Sequence, residues 1–156
     1  FLRTGVRACL GNDGLTNTMW REAEAAYFLQ KINHRDGRRM GGDNLFQTAV
    51  YNPAALASTY FDEAPLGVIE EGAFADLIFV NYIPATPMTV ENLIGHFVFG
   101  WNESMITTTI VNGKVLMKDR VLVGLDEEKI KAKSREIVPA FWERFHKLVP
   151  DDHVLG

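Results

Sequence analysis

The stretch ACLGNDGLTNTMWREA (Ala8–Ala23) sets a short apolar run, a turn of small polar residues and the opening of a helix side by side. Val6 to Leu10 favour a strand, and Gly11 to Gly14 break it. Alternation along such a strand puts Val6, Ala8 and Leu10 on one face and Arg7, Cys9, Gly11 and Asp13 on the other. Thr16 or Asn17 stands where a helix cap is needed, with Glu22 and Glu24 early in the helix. Asp13 is the acid of this turn. As turn chemistry, Asn-Asp-Gly needs no further account, because short polar side chains tolerate tight backbone and satisfy local amides. Its position offers a second reading: a carboxylate at the carboxyl end of a parallel strand lies where α/β enzymes gather their catalytic groups.

Downstream, TMWREAEAAYFLQKINHR carries Met19, Ala23, Ala26, Tyr27 and Ile32 close to a 3.6-residue period, which predicts a helix. DGRRMGG is a loop, and Asp43 is placed to cap a second helix, NLFQTAVYN, that stops near Pro53. PAALAS adds a further turn. From Gly67 the texture changes: GVIEEGAFADLIFVN reads as a glycine-marked turn and a strand over Ala75–Val80. Pro84 and Pro87 hold YIPATPM extended. TVENLIGHFVFG predicts a short helix opened by Thr89. In MITTTIVNGKVLMKDRVLV, β-branched runs flank Asn112-Gly113, the signature of a hairpin with a primed two-residue turn. Asp126, Glu127 and Glu128 then open a terminal helix with Ile130, Ile137, Phe141, Phe145 and Leu148 on one stripe. Pro139 inside it is expected to kink or interrupt it.

Composition bounds the function. The chain has 156 residues, 47% of them hydrophobic and 23% charged, the balance of a globular protein with a core. A net charge of −4 gives no basis for a nucleic-acid or anionic-membrane partner. No apolar run reaches the ~18 residues that span a bilayer. Cys9 is the single cysteine, which excludes an intrachain disulfide framework or a cysteine-built zinc site and points to a reducing, cytoplasmic setting. The chain opens on FLRTGVRACLG without a Met, as if in mid-structure.

Other candidates for chemistry are thin. His34, His96, His146 and His153 form no H-x-H, H-x-x-x-H or H-E-x-x-H pair. His34 ends a helix, where a cation suits the dipole; His96 reads as a packed core residue, and His146 as part of a solvated face. Cys9 lacks an indicated base and is expected to be buried packing. Phe141, Trp142 and Phe145 read as core or interface. The residues by themselves define an α/β fragment with one notable aspartate.

Three blocks together carry a resemblance. LGNDGLTNTMWRE resembles the L-G-[ST]-D-G segment at the end of the eighth barrel strand of the amidohydrolase superfamily. GVIEEGAFADLIFVN looks like its G-x-I-x-x-G-x-x-A-D-L signature, and TTTIVNGKVLMKDR is similar to its late hairpin. Within the superfamily the chain looks nearest the chlorohydrolase and aminohydrolase branch, and LDEEKIKAKSREIVPAFWERF resembles the ending of SsnA-type aminohydrolases. Asn12 departs from the usual Ser or Thr, and Pro53 stands where N-G-A is common.

The resemblance implies the fold: an α/β, C-terminal fragment of a TIM-like (β/α)8 barrel, with its last strand and helices at residues 1–64. Part of a small β-sandwich domain would follow at 65–125, and a C-terminal helix and tail at 126–156. It also implies that Asp13 is a metal ligand and the catalytic proton acceptor in a hydrolase acting on a C–N bond of a small nitrogenous compound. The implied cofactor is a divalent metal, zinc or iron. The family's other ligands lie upstream of Asp13, and a whole barrel takes ~250 residues. The isolated chain is therefore expected to be inactive and to bind no metal tightly. The expected partner is a small-molecule substrate, with pairing to a second copy left open. Two other readings stand beside this one. In the first, the chain is a binding or oligomerisation module that kept the architecture and lost the chemistry; in the second, it is an unrelated α/β domain in which Asp13 merely shapes a turn.

Overall fold

A computed structural model describes residues 4–14 and 17–148. The chain divides into two compact units, Phe1–Arg120 and Val121–Gly156.

In the first unit, helix α1 spans Met19–His34. Thr18 is its cap residue, with extended backbone, and Glu22 lies in its first turn. Of the two expected caps, Asn17 is displaced by one position and Thr16 lies outside the described residues. Ala23 is fully buried, whereas Ile32 is exposed, so the apolar stripe buries only part of its length. Lys31 and His34 in the last turn complement the helix dipole, and Arg35 ends the helix in left-handed backbone.

Helix α2 (Gly42–Phe46), a π-helical turn (Gln47–Tyr51) and helix α3 (Asn52–Ala57) follow end to end. Two expectations are corrected here. Asp43 lies in the first turn, and the cap residue is Gly41. Pro53 does not stop the helix, because the turn before it widens: the Asn52 amide donates to the Gln47 carbonyl, five residues back. That widening relieves the clash a proline ring otherwise makes with the preceding turn.

Strands β1 (Leu77–Val80), β2 (Ile106–Val111) and β3 (Lys114–Lys118) pair antiparallel in that order. β1 is shorter than expected by its first two residues. Asn112 and Gly113 have φ of 47° and 74°, the left-handed pair that a primed turn requires, and they close the hairpin between Val111 and Lys114. The Asp76 carboxylate accepts the Asn112 amide at 2.6 Å, tying the start of β1 to the turn.

Helix α4 (Leu93–Phe99) begins after Asn92 rather than at Thr89. The Asn92 side chain accepts the Thr89 amide at 2.7 Å and donates to the Pro87 carbonyl at 2.8 Å, so it organises the lead-in that Thr89 was expected to cap. The apolar centre of the unit is Ala23, Leu45 and Val98, one each from α1, α2 and α4, with Leu10, Tyr27, Met40, Ala49, Ile94 and Phe97 packed around it. Trp20–Phe97 and Tyr27–Phe99 ring contacts, with centroids 5.9 and 5.8 Å apart, hold α1 to α4.

In the second unit, β4 (Val121–Leu122) precedes helix α5 (Glu127–Leu148). The Asp126 side chain accepts the Lys129 amide at 2.9 Å and caps α5. Pro139 lies inside α5 without interrupting it. The expected stripe forms: Phe141 and Phe145 stack with centroids 6.4 Å apart, and Ile130, Ile137 and Leu148 are exposed with them.

Candidate active site

Residues 6–12 have no regular secondary structure, which corrects the expected Val6–Leu10 strand. A strand exists only through a neighbour's ladder, and no described residues supply one beside this segment. Helix groups take that place. The Leu10 amide donates to the Thr48 carbonyl at 3.0 Å. The Asn52 side-chain amide donates to the Ala8 carbonyl at 2.8 Å.

The expected alternation holds from Arg7 onward but fails at Val6, which was placed on the inner face and is 50% exposed. Ala8, Leu10 and Asn12 are half-buried, while Arg7, Cys9, Gly11 and Asp13 are exposed. Cys9, expected to be buried, is therefore exposed on the face that ends at Asp13. The segment turns over at Asp13, whose φ of 49° is left-handed, a region that Asp and Asn enter more readily than bulkier residues. The carboxylate is thus displayed at the tip of a turn anchored from behind.

The histidines stand apart in role. His34 is in the last turn of α1. His96 lies in α4, its Nδ1 2.8 Å from the Tyr82 hydroxyl and its ring edge-on to Tyr82, the packed and satisfied state expected for it. His146 lies on α5 beside Trp142. Among the described residues, no group of three or more His, Cys, Asp or Glu side chains is arranged to hold a metal ion.

A cavity of about 310 Å³ lies elsewhere in the first unit, between Trp20, Phe97 and Trp101, with Arg21 and Glu103 at its wall. Arg21 and Glu103 are ion-paired. Backbone hydrogen bonding and then the Arg21 guanidinium hold the Glu103 carboxyl below the usual carboxylate range. A carboxyl held low by backbone hydrogen bonds and a neighbouring cation is a poor proton carrier near neutral pH.

Sequence reasoning missed the support beneath the turn. Thr48 and Asn52 are buried polar residues at 3% and 5% exposure, four apart on one helix face. The Thr48 hydroxyl bonds back to the Asn44 carbonyl at 2.9 Å, and Gln47 donates to the Asn52 side-chain oxygen at 2.6 Å. The readable signal was T-x-x-x-N-P: polar residues on an inward-facing stripe, followed by a proline that removes one amide donor.

Residues 2–116 match the amidohydrolase family, and the chain belongs to that family. Among curated relatives, the 5-methylthioadenosine/S-adenosylhomocysteine deaminase of Halothermothrix orenii is 31% identical over 141 residues, covering 87% of this chain and 32% of that protein. The 5′-deoxyadenosine deaminase of Methanosarcina barkeri is 32% identical over 133 residues, covering 83% of this chain and 30% of that protein. Among solved structures, a zinc-bound adenosine deaminase from Xanthomonas campestris superposes with a TM-score of 0.71 at 21% identity, over 95% of this chain and 33% of that one. The zinc complex of atrazine chlorohydrolase TrzN from Arthrobacter aurescens TC1 gives 0.67 at 19% identity, over 88% and 31%. The chain thus spans about a third of the length of these relatives.

Proposed function

We propose that this chain is the C-terminal part of a metal-dependent aminohydrolase that cleaves a C–N bond in a small nitrogenous compound, with adenine nucleoside derivatives as the substrate class. The observation that carries the reading is the Asp13 carboxylate, exposed in a left-handed turn at the end of a segment pinned at Ala8 and Leu10. The deaminase relatives support the reaction class and the substrate class. On this reading residues 1–64 complete a barrel, 65–125 belong to a small β-domain and 126–156 form the terminal helix and tail. We place the protein in the cytoplasm, in keeping with one cysteine in 156 residues.

Asp13 fits a metal as one ligand: an exposed carboxylate is a suitable oxygen donor for zinc or iron. Zinc sites take about three or four protein ligands, so Asp13 needs donors from beyond this chain. The bound metal supplies Lewis acidity that brings the ionisation of water toward neutrality. Asp13 accepts the proton released by the attacking water and returns it to the departing nitrogen. The turn fixes where that proton sits, and the pinned segment fixes the turn.

Two assays of the isolated chain test this. Dialysed against zinc and desalted, it should retain far less than one ion per chain and release no ammonia from adenosine derivatives. One tightly held zinc per chain would overturn the reading. The exposed aromatic stripe of α5 favours a second reading, a binding or oligomerisation module. The gene separates the two: an in-frame H-x-H and later His and Glu codons upstream of Phe1 support the enzyme, and a start codon immediately before Phe1 supports the module.

A further inference from the structure

We infer that Asn52 and Pro53 act as positioning residues, setting the register of the segment that carries Asp13 through a carbonyl which the π-helical turn leaves free. The importance of that register rests on the function proposed for Asp13; the clamp itself rests on geometry.

In a regular helix the Thr48 carbonyl would accept the Asn52 amide. Here that amide goes to Gln47. In a π-helical continuation the acceptor's partner would be residue 53, and Pro53 has no amide hydrogen. The Thr48 carbonyl, on a residue only 3% exposed, is therefore left without a helical donor, and such a group must find another. It takes the Leu10 amide at 3.0 Å. Four residues on, the Asn52 side chain donates to the Ala8 carbonyl at 2.8 Å while its own oxygen accepts from Gln47 at 2.6 Å, which fixes the orientation of the amide.

In an extended chain, residues 8 and 10 present their main-chain groups to the same edge. The helix therefore supplies one acceptor and one donor to that edge, as a neighbouring strand would. A slip of one residue would present the groups of residues 9 and 11 instead and would turn Asp13 to the opposite face. Sub-ångström placement matters at such a position, because small displacements of a catalytic group cost up to about a hundredfold in rate.

The test is amide hydrogen exchange in the full chain, comparing Asn52→Asp and Pro53→Ala with the wild type. Asn52→Asp keeps the shape and the acceptor toward Gln47 but removes the donor to Ala8. Pro53→Ala restores an amide that competes for the Thr48 carbonyl, while favouring the helix. Both should speed exchange of the Leu10 amide about five- to tenfold, with β2 and β3 amides unchanged. Unchanged Leu10 exchange in Pro53→Ala overturns the clamp. So does unchanged exchange in a folded Asn52→Asp; should that variant unfold, Pro53→Ala decides, since its helix is strengthened. In a longer protein with the remaining ligands, Asn52→Asp should lower kcat with KM kept within about twofold. Asp13→Asn measured beside it tests the reading of the site: if Asp13→Asn leaves turnover intact, that reading falls, while the Leu10 exchange still judges the clamp.

Discussion

Asp13→Asn, made in a longer protein that supplies the other metal ligands, lowers kcat by about 10²- to 10⁴-fold and leaves the fold intact. The substitution keeps size and hydrogen-bonding reach but removes the negative charge and the ability to accept a proton. Asn enters left-handed backbone as readily as Asp, so the turn at φ 49° persists. Loss of activity with native circular dichroism then reports chemistry rather than folding. Ammonia release under saturating substrate is the measurement. Turnover within twofold of wild type would return Asp13 to the role of a turn residue.

The second large effect is on stability. Leu45→Ala costs about 2–5 kcal/mol, the range for emptying a packed aliphatic site. Among the described residues Leu45 is the large side chain with no exposure, and it joins α2 to the contributions of α1 and α4 at Ala23 and Val98. Losses of this size are a large share of a typical domain's total stability. Urea unfolding monitored by tryptophan fluorescence measures it, and a change below about 0.5 kcal/mol would show that the centre of the unit lies elsewhere. Leu45 also sits three residues before Thr48 on the same helical run, so the variant should loosen the hold on Leu10.

Local chemistry made much of the fold readable. Asn112-Gly113 names its own turn, because two consecutive left-handed residues are what those side chains permit. Asp126 and the two glutamates mark the start of α5 for equally local reasons, a side-chain cap and a favourable dipole. The alternation from Arg7 to Asp13 was legible, though not the exposure of Val6, and the family was legible from three spaced blocks.

Most of what could not be read depended on partners distant in sequence. The Val6–Leu10 segment has a strand's composition, yet its amide and carbonyl are met by Thr48 and Asn52, some forty residues on. Cys9 looked like core because cysteine usually is, but its face is open among the described residues. Pro53 signals a stop because a proline cannot continue a regular turn; the π-helical widening that accommodates it is local, but it has no composition signature of its own. The same widening frees the carbonyl that anchors the segment before Asp13, so the missed fold feature and the missed site feature have one origin.

The most direct trial of the central claim is a zinc-edge anomalous diffraction map of a longer protein that contains this chain. A metal peak within bonding distance of the Asp13 carboxylate, completed by donors from outside residues 1–156, is the predicted result. A fully occupied metal whose ligands exclude Asp13, with that carboxylate turned to solvent or to its own turn amides, would contradict it.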